Sequence, residues 1–120
     1  KKDTNDTRES AAIYVAKDLL EENAQIAIYD PKVQSEQIRK DLGVSVEDER
    51  VQVCDSAYEA SKEAYAVLIL TEWDEFKSID FSSLKAKKNF KVFDLRNLFD
   101  FNEMKKKKIK YSSIGRPSIN

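Results

Sequence analysis

Two arginines stand where this chain could meet an anion. Arg8 falls in the first turn of an expected helix, where the helix dipole favours acids over bases. A cation placed there invites a functional explanation, because the arginine fork suits phosphate. The competing explanation is an ion pair with Asp3 or Asp6. Arg96 lies just past the carboxyl end of an expected strand, the zone in which open α/β sheets bind ligands. Its competing reading is a plain surface arginine. Trp73 could stack on a base, but packing over the sheet edge is the better account. The flanking Glu72 and Asp74 are expected to cap the turn that follows rather than to act as acid and base. Cys54 has no histidine to activate it and sits at a strand end among apolar residues, so a buried, inert thiol is expected. Lys105 to Lys108 close a short helix whose C-terminal dipole they suit, which favours a solvated face over a nucleic-acid patch. Asp30, at the end of a strand, reads as a turn residue.

Composition narrows the chemistry further. The chain has 120 residues, enough for one domain spanning 1–120 and too few for two real cores. Apolar residues at 41% and charged residues at 36% describe a folded chain with a polar surface, not a disordered one. A formal net charge of −1 gives no reason to expect nucleic acid or an anionic membrane as partner. No apolar stretch nears the roughly 20 residues of a bilayer span, and Lys1-Lys2-Asp3-Thr4 does not open a signal peptide. The single cysteine fits a reducing, cytoplasmic compartment. Histidine is absent, which removes the commonest neutral-pH base and the commonest zinc ligand, and no metal site is expected. With Gly43 and Gly115 as the only glycines, the chain holds neither a P-loop nor a GxGxxG fingerprint.

The elements that must position these residues follow from periodicity. Asp6 and Glu9 form an acidic capping box, and Ala12, Val15, Ala16, Leu19 and Leu20 make a helical stripe from about Thr7 to Glu22, stopping near Asn23. Ile26–Tyr29 is a strand closed by Asp30-Pro31. Ser35–Leu42 is a short helix with Ile38 and Leu42 inward and Gly43 as its stop, and Val51–Val53 is a short strand. Asp55 is placed to cap a helix packed through Ala57, Tyr58, Ala60 and Ala64. The run Ala66–Leu70 is uniformly apolar and predicts an inner strand covered on both faces. Beyond it, Trp73 and Phe76 share a turn, and Asp80 caps a segment carrying Phe81 and Leu84. Phe90–Phe93 is a further strand, Asp100–Lys107 a short helix with Phe101 and Met104 inward, and Ile109–Ile114 a last strand. Alternating strands and helices predict an α/β fold: a Rossmann-like, doubly wound, mostly parallel sheet with helices on both faces. Five strands are found where six would be natural, and the chain opens with a loop and a helix. It reads as lacking its first strand, the neighbour of Ala66–Leu70.

The segment Lys1-Lys2-Asp3-Thr4-Asn5-Asp6-Thr7-Arg8-Glu9-Ser10 resembles the start of the C-terminal UDP-binding domain in the UDP-glucose/GDP-mannose dehydrogenase family. The similarity continues through Tyr29-Asp30-Pro31-Lys32, Tyr58-Glu59-Ala60, Thr71-Glu72-Trp73-Asp74-Glu75-Phe76 and Phe93-Asp94-Leu95-Arg96-Asn97, over essentially the whole chain. Its wording is closer to the UDP-glucose branch than to the UDP-N-acetylhexosamine or GDP-mannose branches. The resemblance implies the UDP-sugar-binding part of an NAD-dependent, homo-oligomeric enzyme that oxidises UDP-glucose to UDP-glucuronate. NAD would be held mainly by an N-terminal domain outside this chain, and the chain alone would hold no catalytic residue. By the same resemblance Lys1 and Arg96 contact the UDP-sugar and Arg8 reaches NAD. Two departures stand out. Leu95 replaces the family's glycine, at a position where positive φ or close ligand approach would ask for glycine, and no phenylalanine precedes Lys1. The alternatives are a stand-alone nucleotide-binding module without catalysis, a flavodoxin-like signalling domain judged on sheet pattern alone, or the corresponding domain of a UDP-N-acetylhexosamine or GDP-mannose dehydrogenase.

Overall fold

The computed structural model describes residues 11–120. Lys1, Arg8 and the Asp6–Glu9 capping box lie outside the described residues. The chain divides into two compact units, Lys1–Ala60 and Ser61–Asn120, each with its own parallel sheet.

In the first unit, α1 (Ala11–Glu21) buries Ile13, Ala16 and Leu20, which recur at helical spacing. The stripe is turned slightly from the one expected: Ile13 is inside, while Ala12, Val15 and Leu19 are half-buried. The helix ends as expected, with Asn23 in the left-handed region at φ 62°. β1 (Ile26–Ile28) and β2 (Val51–Val53) pair in parallel with Ile26 opposite Val51. Between them runs α2 (Ser35–Leu42), whose Ile38 and Leu42 join Ile13, Ala16, Leu20, Val33 and Val51 in one buried cluster. Gly43, at φ 72°, turns its amide back onto the carbonyls of Arg39 and Lys40 and so closes the helix. Two arginines tie the connector into this unit. Arg39 donates to the carbonyls of Ser45 and Val51, at 3.0 and 2.9 Å. Arg50 forks onto Asp48 at 2.8 Å and also reaches the Leu20 carbonyl at 3.2 Å. Those bonds from Arg50 hold the Asp48 carboxyl down at about 2.

α3 (Ala57–Ser61) falls at the boundary between the units. Its cap differs from the expected one. The Ser56 hydroxyl, not Asp55, accepts the Glu59 amide at 3.0 Å, and the Glu59 carboxylate accepts the Asp55 amide at 2.9 Å. The pattern is Ser-x-x-Glu, in which the serine oxygen is placed for the third helical amide. Tyr58, expected on the packing face, is 40% exposed.

The second unit holds β3 (Ala66–Ile69), β4 (Lys91–Asp94) and β5 (Lys110–Ser113), ordered β3-β4-β5 and parallel throughout. The inner strand is β4, which corrects the expectation for Ala66–Leu70. β3 pairs with β4 on one edge and has no strand on the other among the described residues. Accordingly Ala66 is exposed, Val67 and Leu68 are half-buried, and only Ile69 is buried. An apolar run signals faces that can be covered, but the position of a strand in the sheet depends on its pairing partners. Phe76 is buried on a 3-10 turn (Asp74–Ser78) that follows the buried Trp73, and Phe81 lies on another (Phe81–Ser83) whose amide at Ser82 is capped by Asp80. α4 (Phe101–Lys106) is capped by Asp100 onto the Glu103 amide and buries Met104, while Lys105 to Lys108 are all exposed. After β5 the chain turns at Gly115, φ 75°, and Ile119 returns to pair antiparallel with Tyr111.

Candidate functional site

Three parallel strands in register bring three chain crossings to one rim. Ile69, Asp94 and Ser113 are neighbours across β3, β4 and β5, so the residues that follow each lie at the carboxyl ends of the strands. In an open α/β sheet that rim is where ligands meet the backbone ends and the loops. Here it carries Thr71-Glu72, Leu95-Arg96-Asn97 and Ile114-Gly115-Arg116.

The middle loop is held from below by Asp94, which is fully buried at 0% exposure. A buried carboxylate is costly unless its oxygens are satisfied, and these are. One oxygen accepts the Arg96 amide at 3.2 Å. The other accepts the Phe99 amide at 2.9 Å and the Tyr111 hydroxyl at 2.6 Å. The carboxylate therefore pins both ends of the turn that presents Arg96. Asn97 braces the same turn from the side. Its φ of 51° suits asparagine better than a branched residue, and its amide accepts from the Ile114 N–H at 3.0 Å and donates to the Ile114 carbonyl at 3.2 Å. The side chain thus continues the β4–β5 pairing one step past the strand ends.

Arg116 covers this network. Its guanidinium donates to the Asn97 side chain at 3.2 Å, the Tyr111 hydroxyl at 3.3 Å and the Phe99 carbonyl at 3.4 Å, and lies 5.8 Å from the Tyr111 ring centroid. Burial, together with the Asp94 carboxylate, pushes the Tyr111 phenol up to about 12, so it stays a donor across the neutral range.

Arg96 itself stands out from the rim. Its side chain is 37% exposed and donates through Nη2 to Glu72 Oε1 at 2.5 Å, across the ends of β4 and β3. Glu72 was expected to cap the following turn. In the structure Glu72 faces Arg96, and the side chain of Trp73, the residue that opens the 3-10 turn, makes no cap bond. Arg96 is brought to the strand ends as the sequence indicated, whereas Lys1 and Arg8 lie outside the described residues. Leu95 needs no glycine conformation, since it is not among the residues of positive φ. Trp73, 3% exposed, packs rather than stacks on anything at the surface. Cys54 is 5% exposed, and burial, with the Glu59 and Asp55 carboxylates, pushes its thiol up to about 11. Among the described residues, no group of three or more Cys, Asp or Glu is placed to hold a metal ion.

Sequence reasoning missed the buried Asp94–Tyr111 pair and the Arg116 cover. One signal was present: Asp94 ends a strand between Phe93 and Leu95, a place where a carboxylate must find partners or be exposed.

Among the described residues, the site is a braced loop that presents the Arg96 guanidinium at the carboxyl ends of the strands. That guanidinium can bind an anion by charge-assisted hydrogen bonds. Residues 1–101 match the model of the UDP-glucose/GDP-mannose dehydrogenase family, UDP binding domain. The chain is 43% identical to UDP-glucose 6-dehydrogenase 4 of Arabidopsis thaliana over 134 aligned residues, which cover 98% of this chain and 28% of that relative. It is 42% identical to UDP-glucose 6-dehydrogenase 1 of Arabidopsis thaliana over 135 residues and to UDP-glucose 6-dehydrogenase 4 of Oryza sativa subsp. japonica over 134, again with 98% and 28% covered. The chain spans 28% of the length of these relatives.

Proposed function

This chain belongs to the UDP-glucose/GDP-mannose dehydrogenase family, as its UDP binding domain, and from that we propose that it holds the nucleotide end of a UDP-sugar, namely UDP-glucose, while other parts of the full protein oxidise the sugar. The reaction would convert the C6 alcohol of UDP-glucose to the carboxylate of UDP-glucuronate. NAD would accept the hydrides. This chain does not fit the phosphate cradle of NAD: its two glycines are the α2 stop and the turn after β5, and neither sits in a glycine-rich loop. The cofactor is therefore assigned to a separate N-terminal domain, with Arg8 of this chain reaching toward it. Lys1 and Arg96 are assigned to the UDP-sugar. The full protein is proposed to be a cytoplasmic homo-oligomer.

The observation that carries the reading is Arg96, held by a pinned loop at the carboxyl rim of a parallel sheet within the region that matches the UDP binding domain. Its fork suits the diphosphate, which carries no part of the chemistry at C6. Binding energy from such a remote group can be applied to positioning the reacting carbon. Calorimetric titration with UDP-glucose, UDP and GDP-mannose tests this. The expected result is binding of both uridine ligands, weaker binding of GDP-mannose, and a loss of about tenfold or more for Arg96→Met. Equal affinity for all three ligands, or no effect of Arg96→Met, would overturn it.

A further inference from the structure

We propose that Glu72 is a positioning residue for the diphosphate of a UDP-sugar, acting through Arg96; this rests on the reading just given. Three observations on the rim lead to it. Glu72 and Arg96 come from the ends of two adjacent parallel strands, so their backbone anchors are fixed by the Ile69–Asp94 register. The contact is made through one oxygen and one terminal nitrogen, Oε1 and Nη2 at 2.5 Å. The other hydrogen bond of Arg96 is made by its backbone, to Asp94. Among the described residues, Nε and Nη1 donate to nothing, so on the edge that Glu72 does not occupy one of them, with the second hydrogen of Nη2, offers a phosphate a pair of parallel donors.

The exposure of the pair decides between a structural and a positioning role. At 37% and 38% side-chain exposure, an ion pair contributes little to stability, because solvent screens it. What it does is remove freedom from a long side chain before the ligand arrives. Ordering such a side chain at the moment of binding weakens affinity by about three- to tenfold. Glu72 also places a negative charge near the incoming diphosphate, which works against binding. The acceptor oxygen is thus the useful part of Glu72, and its charge is not.

That separation supplies the test. UDP-glucose affinity is measured by calorimetry for the unaltered chain, Glu72→Ala and Glu72→Gln, and the side-chain Nε–H signal of Arg96 is followed by NMR in the absence of ligand. Glutamine keeps the acceptor and drops the charge, so Glu72→Gln is expected to bind as tightly as the unaltered chain or more tightly, with the Arg96 signal still ordered. Glu72→Ala is expected to bind roughly three- to tenfold more weakly, with a mobile Arg96 signal. Unchanged or tighter binding by Glu72→Ala would show that Glu72 is a competitor or a bystander, and would overturn the proposal. Equal weakening in both variants would overturn it as well. If the unaltered chain does not bind UDP-glucose, the proposed function fails and takes this inference with it. Binding by the unaltered chain with a neutral Glu72→Ala sinks the inference alone.

Discussion

The Tyr111 hydroxyl donates a 2.6 Å hydrogen bond to Asp94, and neither side chain is reached by solvent. Tyr111 lies on β5 and Asp94 ends β4, so the bond crosses the sheet beneath the loop that carries Arg96. Replacing Tyr111 with phenylalanine keeps the ring and its packing but leaves one Asp94 oxygen with the Phe99 amide alone. A buried polar group deprived of one partner costs about 1–3 kcal/mol. Tyr111→Phe is therefore expected to lower unfolding stability by that amount in urea, and to speed hydrogen exchange at the Arg96 and Phe99 amides. Exchange unchanged at both amides would mean the loop is held by something else.

Alkaline pH should act through the same phenol. Its folded value is raised to about 12 from the ordinary 10, mainly by burial and then by Asp94. The unfolded chain therefore releases this proton first, and the folded chain binds more protons between the two values. Stability is then full below about pH 10 and falls as pH rises toward 12, by on the order of 2 kcal/mol for this group. Lysines and the other tyrosines titrate in the same range, so the measurement is a difference. The urea midpoint of the unaltered chain should drop more steeply above pH 10 than that of Tyr111→Phe. Parallel profiles for the two would count against it.

Cys54 should be silent in the native state. Its thiol is 5% exposed and pushed up to about 11, so at pH 8 only about one molecule in a thousand carries the thiolate. Iodoacetamide at pH 8 is expected to leave the folded chain unmodified over a time in which the urea-unfolded chain reacts fully. Labelling of the native chain at the unfolded rate would show that the strand end around Cys54 opens readily.

Local rules made much of this fold legible. Ser35–Leu42, with Ile38 and Leu42 inside and Gly43 as its stop, was readable because the stripe and the stop residue lie within one short stretch. The strand segments were readable for the same reason, as was the exposed lysine run. What depends on distant partners was not. Ala66–Leu70 is the more apolar strand, yet Lys91–Asp94, flanked on both edges, is the inner one. A local cap role for Glu72 follows from its neighbour Trp73, which opens a turn, but its ion pair with Arg96 spans 24 residues and has no local signal. The buried partner of Asp94 had no local signal either, because this hydroxyl donor lies 17 residues on. Arg96 was legible from its place after a strand, while the clamp that presents it was not.

Leu95 gives the sharpest contrast between expectation and structure. The family resemblance implies glycine there, and glycine usually marks positive φ or a close approach. The Leu95 backbone does not adopt positive φ, and its side chain is half-buried. Restoring glycine would then remove packing and release backbone freedom in the unfolded chain without relieving strain. Leu95→Gly is expected to destabilise the chain by about 1–2 kcal/mol, read as a lower urea midpoint. UDP-glucose affinity should change by less than about threefold, because the Asp94 clamp on the Arg96 and Phe99 amides does not involve the Leu95 side chain. A tenfold gain in affinity would mean that the leucine side chain obstructs the ligand at this rim.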